Sequence, residues 1–193
     1  MKCLVINGSS TKGGNTELLT KIFVQNLVQN NVDCQLIHLS EYGNKLCQQC
    51  NSCKRSTKCI LKDDVESEII KVKDVDTIIF ATPVYWGGIS GNLKCFIDRL
   101  NLDSEIYKTI RYGVALVNSE YCESFGMVKQ HFELIFKYMQ LENLGILGVW
   151  GISQQKDIRT QQNIRKIGEF VQSLIINESA KNKYIEANSH AKT

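Results

Sequence analysis

Four cysteines stand close together in this chain. Cys47, Cys50, Cys53 and Cys59 follow one another with two, two and five residues between them. Thiolates are soft ligands that suit iron or zinc. Three cysteines at this even spacing can wrap three corners of a cubane, as in the bacterial ferredoxin run. No Pro follows the fourth cysteine and there is no second set, so Cys59 would have to close the same [4Fe–4S] site. Structural zinc sites more often join two cysteine pairs across a longer span. The spacing therefore favours iron–sulfur, with zinc, and free or disulfide-bonded thiols, as the alternatives. Lys54, Arg55, Lys58 and Lys62 would partly offset the negative charge of a cluster.

A different chemistry is written into residues 7–16, Asn-Gly-Ser-Ser-Thr-Lys-Gly-Gly-Asn-Thr. Backbone N–H groups, several hydroxyls and a following helix start make a receptor for a dianionic phosphate. Ser9, Thr11, Asn15 and Thr16 are the favoured side-chain contacts. Ser10 and Gly14 lie in the same loop, and Lys12 can add a point charge. A P-loop would carry Lys-Ser or Lys-Thr after its last Gly, but Gly13 is followed by Gly14 and Asn15. A dinucleotide fingerprint would need Gly where Ser10 stands. The plain alternative is a strand-to-helix turn without a ligand.

Residues 82–92 form a second candidate loop, with Pro83, Val84, Tyr85, Trp86, Gly87 and Gly88 at its centre. Two adjacent aromatics before two glycines suit a flat apolar wall with room for close backbone approach. The alternative is an aromatic pair folded back into the core. In a third loop, 118–126, Asn118 and Ser119 are the residues expected to approach a ligand. Cys122 beside them reads as incidental.

The elements that would hold these loops alternate five times. Mostly apolar runs at 2–6, 34–39, 76–81, 112–117 and 145–149 read as strands. Helices are expected from about 15, then over 63–72, 90–100, 126–141 and 158–176, with apolar stripes such as Leu18, Leu19, Ile22, Phe23 and Leu27, or Ile164, Ile167, Val171 and Leu174. This alternation predicts an α/β, flavodoxin-like doubly wound five-stranded parallel sheet, order 2-1-3-4-5, with all three loops but the cysteine one at strand ends. Residues 41–62 show neither period and are expected to be an inserted cysteine-rich loop. Such a long irregular stretch needs a reason to be ordered. The expected domain is 1–177, followed by a polar tail, 178–193. Cys3, Cys34 and Cys95 read as buried small apolar residues, Met127 and Met139 as packing. His38, His131 and His190 form no ligand pair.

The segment 82–92, continued through Leu93, Lys94, Cys95, Phe96, Ile97, Asp98 and Arg99, resembles that of the NAD(P)H-dependent FMN reductase group. The first loop resembles that group's phosphate loop. The resemblance covers about residues 2–150. It implies FMN, with its phosphate on the first loop and its ring against Pro83 to Gly88, and NAD(P)H as a candidate electron donor. Ser10 and Thr11 stand where relatives often carry Pro-Arg. The cysteine pattern is similar to that of the iron-sulfur flavoprotein branch, in which a [4Fe–4S] cluster lies near FMN. The resemblance thus implies electron transfer between FMN and a cluster. It also leaves two alternatives: an NAD(P)H-dependent FMN or quinone reductase without a cluster, and a non-enzymatic electron carrier or redox sensor. A homodimer or homotetramer is implied, with a ferredoxin-like or small-molecule redox partner. No side-chain acid or base is expected, because the flavin carries the chemistry.

Composition bounds the rest. The 193 residues are 43% hydrophobic and 22% charged, ordinary for a globular chain. A net charge of +3 without a dense basic run argues against nucleic acid as partner. No run reaches the length of a membrane span, and the N-terminus lacks the pattern of a signal peptide. The cytoplasm is the expected location.

Overall fold

A computed structural model of the protein describes residues 1–56, 59–100, 109–154 and 157–189. Its sheet is built from β1 (Lys2–Asn7), β2 (Asp33–His38), β3 (Thr77–Tyr85), β4 (Gly88–Ile89), β5 (Tyr112–Asn118) and β6 (Glu142–Val149). The helices are α1 (Asn15–Gln29), α2 (Ser52–Ser56), α3 (Val65–Ile70), α4 (Gly91–Arg99), α5 (Glu123–Tyr138) and α6 (Gln161–Ser189). Five strands pair in parallel in the order β2-β1-β3-β5-β6. The two-residue β4 is an addition to the expected five strands. It folds back antiparallel on the end of β3, pairing Val84 with Ile89 and Tyr85 with Gly88.

Alternation along the strands distributes the core. Leu4, Ile6, Ile78, Phe80, Ala115 and Val117 face α4 and α5, where Leu93, Phe96, Val128, Phe132 and Phe136 meet them. Phe80 stacks on Phe132 and on Phe136, each at 6.2 Å between ring centres. Their neighbours Cys3, Val5, Ile79, Ala81, Val114 and Leu116 face the other way, onto Leu19, Phe23 and Leu27 of α1 and Ile167, Val171 and Leu174 of α6. Strands buried on both faces explain the near-continuous apolar runs in the sequence.

Several elements differ from the periodicity reading. β3 runs on through Pro83. Its pairing with β1 ends at Ala81, so Pro83 lies where β3 is an edge on that side and a missing N–H is tolerated. α5 starts three residues early, with Glu123 in the first turn favoured by the helix dipole. The expected helix over 63–72 shrinks to α3 and a 3-10 turn at Lys71–Asp74. α6 continues past residue 176 to Ser189, and Glu178 in it lies 3.8 Å from the N-terminal amine. Residues 190–193, His190 among them, lie outside the described residues. Ile164 and Met127, expected to pack, are exposed, and Cys34 and Cys95 are only half-buried. Among the described residues no helix is long and apolar enough to cross a membrane.

Candidate functional site

The carboxyl ends of β1, β3, β5 and β6 open onto one cavity of about 370 Å³. That volume lies within the usual range of ligand clefts. Ser9, Thr11, Gly14, Asn15 and Thr16 supply one wall, Pro83, Val84 and Tyr85 a second, and Asn118 and Ser119 a third. Sequence reasoning missed Glu120 and the fourth wall, Ile152, Ser153 and Gln154. The signal available for them was topological: the stretch after the last strand also leaves a carboxyl end of the sheet.

The first loop is shaped by its own polar groups. Asn7, buried at the end of β1, sets its Nδ2 3.2 Å from His38 Nδ1, and its Oδ1 accepts from Ser9 N at 2.9 Å. Ser9 Oγ accepts from Thr11 N at 3.2 Å, and Thr11 O from Gly14 N at 3.3 Å. Gly13, in the left-handed region at φ 68°, donates its N–H to Glu17 Oε2 at 2.7 Å. The Glu17 carboxyl is held below its usual range by the Lys21 hydrogen bond first, and then by this N–H. α1 begins after Gly14, which offers no side-chain cap. The first N–H groups of a helix have no intrahelical acceptor. Here they face the cavity wall without a capping oxygen of their own.

Asn15 serves a different purpose from the one expected. Its Nδ2 donates to Gln154 O at 2.7 Å, and its Oδ1 accepts from Ile158 N at 3.3 Å. It clamps the fourth loop onto the first. Lys12 and Ser10 are exposed and lie outside the cavity lining.

In the second loop the aromatic pair separates. Tyr85 lines the cavity and is half exposed, whereas Trp86 stands fully in solvent. Trp86 and Gly87, at φ 50° and 74°, are the two turn residues joining β3 to β4. A two-residue hairpin with both φ positive matches the twist of its strands, and it points Trp86 outward. Gly87 and Gly88 also lie outside the lining. The hairpin is fixed from below by Thr82, whose Oγ1 accepts from Ser90 N at 2.9 Å and donates to Pro83 O at 2.7 Å.

Asn118 ends β5 in register with Pro83 on one side and Val149 on the other. Its Oδ1 is buried and has no hydrogen-bond partner among the described residues. A buried acceptor left unpaired is costly, so a donor from a ligand in this cavity would satisfy it. Ser119, by contrast, donates its hydroxyl to Tyr121 O at 2.8 Å. Orphan acceptor, uncapped helix start and hydroxyl-rich loop are the donor and acceptor set that a flavin mononucleotide needs.

The cysteine segment corrects the [4Fe–4S] expectation. Among the described residues no three His, Cys, Asp or Glu side chains come together as metal ligands. Cys47 and Cys50 are exposed, whereas Cys53 in α2 and Cys59 pack against the core. Gln49 and Asn51, both left-handed at φ 51° and 56°, turn the chain between the cysteines. No disulfide is present either. The order of this stretch comes from its base. Lys45 N donates to Asp63 Oδ2 at 3.2 Å and Lys45 Nζ to Lys62 O at 3.0 Å. Arg99 Nη1 of α4 donates to the same Asp63 oxygen at 2.5 Å, with both side chains almost fully buried.

Residues 1–180 match the NADPH-dependent FMN reductase family. An iron-sulfur flavoprotein of Methanocaldococcus jannaschii is 37% identical over 99 residues, 51% of this chain and 51% of that protein. The chain thus spans about half the length of the curated relatives it matches. Among solved structures, an NAD(P)H:quinone oxidoreductase from Methanothermobacter marburgensis superposes with TM-score 0.72 at 15% identity, over 90% of this chain and 96% of that one. An FMN-dependent NADH-azoreductase from Bacillus anthracis, in complex with FMN, does so with TM-score 0.66 at 16% identity, over 90% and 98%. These likenesses establish a flavodoxin-like fold. The chain belongs to the NADPH-dependent FMN reductase family, and by sequence it groups there with the iron-sulfur flavoproteins.

Proposed function

We propose that the protein is an FMN-dependent oxidoreductase that takes electrons from NAD(P)H and delivers them to a flavin or quinone. The reading rests above all on Asn118 Oδ1, a buried acceptor without a partner among the described residues, in the cavity that also receives the uncapped start of α1. FMN, when bound, would supply the redox chemistry. The chain's own part is binding and orientation. The helix start and the N–H groups of the first loop would hold the phosphate. Asn118 would accept from a donor of the ligand, and Pro83, Val84 and Tyr85 would form the wall beside its ring. Among the described lining residues Glu120 and the Tyr85 hydroxyl are the ionisable side chains, and this reading gives neither of them a proton-transfer role.

The finer organisation belongs to the same reading. The five parallel strands act as a 2-1-3-4-5 scaffold, with β4 as an outgrowth of the third strand and residues 41–62 as an insertion in a domain over 1–177. Exposed Tyr85, Trp86 and Tyr121 around the site support a homodimer or homotetramer that covers them. Eight cysteines without a disulfide support a reducing cytoplasm.

The test is to incubate the purified chain with FMN, remove free flavin, and record bound flavin and NAD(P)H oxidation with a quinone acceptor. Stoichiometric FMN and quinone-dependent turnover are expected. A chain that retains no flavin, with no difference between wild type and Asn118→Leu, would refute the reading.

A further inference from the structure

A second and larger hollow, about 980 Å³, lies between the cysteine segment and the outer sides of α4 and α5. Lys54 and Lys94 line it beside Ile60, Ile97, Leu134 and Tyr138. Ile60 and Leu134 are each 52% exposed and Tyr138 is 84% exposed; Leu46, next to the lining residue Cys47, is 70% exposed. Large apolar side chains gathered on one surface in this way mark an interaction site more often than isolated ones do.

The charge of the segment that borders this hollow is one-sided. Residues 42–62 contain five of the 23 Lys and Arg residues of the chain and none of its 20 Asp and Glu residues. The remainder of the chain therefore carries a slight acidic excess. The whole positive excess of the protein sits in the segment that borders the hollow. Lys45, Lys54, Arg55 and Lys62 are exposed there. Of the acids close by, Asp63 is buried against Arg99, and Asp98, which also lines the hollow, pairs with Lys94, so the basic excess at the rim comes from the 42–62 segment.

We propose that this hollow is a docking surface for an acidic partner protein that presents an apolar side chain among its carboxylates. Basic rim and apolar centre are the usual anatomy of a specific protein interface. The apolar centre separates a protein from a polyphosphate: a phosphate backbone offers no apolar group to cover Leu134 and Tyr138, so their exposure would persist. The surface is also joined to the candidate site. Asn44 Nδ2 donates to Asn92 O at 2.8 Å, and Asn92 stands in the first turn of α4, directly after the β3–β4 hairpin. A partner seated here lies beside the loop that walls the cavity. The docking does not depend on the flavin reading.

A fluorescein-labelled peptide of glutamates around a central Leu-Trp-Leu serves as probe, titrated by fluorescence anisotropy into the full chain with and without FMN. Binding is expected in both states and should weaken with added salt, since the contacts are screened. Lys54→Glu/Arg55→Glu should weaken it by about tenfold or more. Leu134→Ser/Tyr138→Ser should weaken it with little change in the salt dependence. Arg165→Glu, on α6 of the opposite face, should leave it unchanged. Circular dichroism melts establish that each variant is folded. The proposal is overturned if wild type does not bind the peptide at low salt, or if the charge-reversed variant binds as well as wild type. It is equally overturned if a single-stranded oligonucleotide or an anionic vesicle of matched charge binds as tightly as the peptide. Because apo and FMN-loaded chains are both titrated, failure of docking is told apart from failure to bind flavin.

Discussion

Ser90 Oγ donates a 2.7 Å hydrogen bond to the carbonyl of Gly8. The two residues are 82 positions apart in the chain, and the bond is buried. Gly8 N in turn donates to Ala81 O at 2.8 Å, so the first loop is latched to the strand end and helix start of the second. Ser90 also caps α4, its Oγ accepting from Leu93 N at 3.3 Å. One hydroxyl therefore holds two walls of the cavity in register.

Glycine at position 8 follows from this contact. A Cβ there would lie 2.5 Å from Leu93 Cβ and 3.0 Å from Ser90 Oγ. Gly8→Ala is expected to destabilise the protein by about 1–3 kcal/mol through overpacking, read from urea unfolding. Ser90→Ala should cost about 1–2 kcal/mol, as lost caps do. Both should lower retained flavin. If Gly8→Ala unfolds at the wild-type urea concentration, the latch is not as tight as described.

Asn118 makes the opposite prediction for stability. Its Oδ1 has no partner among the described residues, so Asn118→Ala removes an unsatisfied acceptor and should leave the melting temperature of the apoprotein unchanged or raised. Flavin affinity should fall by about tenfold, the worth of one hydrogen bond. Equilibrium dialysis and apoprotein melts together test the pair of outcomes. A less stable apoprotein with unchanged affinity would mark Asn118 as merely structural.

Asp63 and Arg99 form the buried tie between the cysteine segment and α4. Asp63→Ala would strand a guanidinium whose Nε and Nη2 already lack hydrogen-bond partners among the described residues, and should cost about 3–5 kcal/mol. Burial pushes the Asp63 carboxyl up, but hydrogen bonds from Arg99 and from the Lys45 N–H outweigh it and leave it below its ordinary range. The stability it contributes is therefore present above the unfolded carboxylate value, about 3.9, and is lost as pH falls through the lower folded value. Denaturant midpoints at pH 7 and in acid well below the unfolded value of about 3.9 should show the Asp63→Ala penalty at neutrality and its shrinkage in strong acid.

The cysteine segment is ordered by its base rather than by a metal. Protein purified without oxygen should contain neither iron nor labile sulfide in stoichiometric amount, and chelators should not shift its melting temperature. Replacing exposed Cys47 and Cys50 by Ser should be within about 0.5 kcal/mol of neutral, as surface substitutions usually are. Stoichiometric iron and sulfide would show that the segment gathers its thiols in a way the present geometry does not.

Trp86 holds a left-handed conformation in full solvent. Such a φ costs a residue with a side chain about 1–2 kcal/mol, but costs glycine almost nothing. Trp86→Gly should therefore raise the unfolding free energy by up to about 1 kcal/mol, after the greater chain entropy of glycine is set against the relieved strain. A loss of assembly in the same variant, measured by light scattering, would show why a strained tryptophan is kept there.

Local periodicity was enough to reveal the parallel sheet and α1, α4, α5 and α6, but not α2 or the short form of α3, because strands buried on both faces must be apolar throughout and long helices must turn one stripe inward. The strand-end loops were legible for the same reason: once Ile6, Phe80 and Val117 belong to core strands, Ser9, Pro83 and Asn118 must emerge at one end of the sheet. The separation of Tyr85 from Trp86 was not legible. It depends on a two-residue turn whose form is set by pairing between Tyr85 and Gly88.

The sequence by itself determined the chemistry available: hydroxyls and N–H groups for a phosphate, aromatics for a ring, four thiols within thirteen positions. Only the tertiary structure decided which of these converge. Asn15 was taken up by the fourth loop, Asn118 was left with an unsatisfied acceptor, and Cys53 and Cys59 were drawn to the core while Cys47 and Cys50 stayed in water. The physical reason is that spacing along a chain limits how near side chains can come, whereas backbone turns and the burial of apolar surface determine where they point.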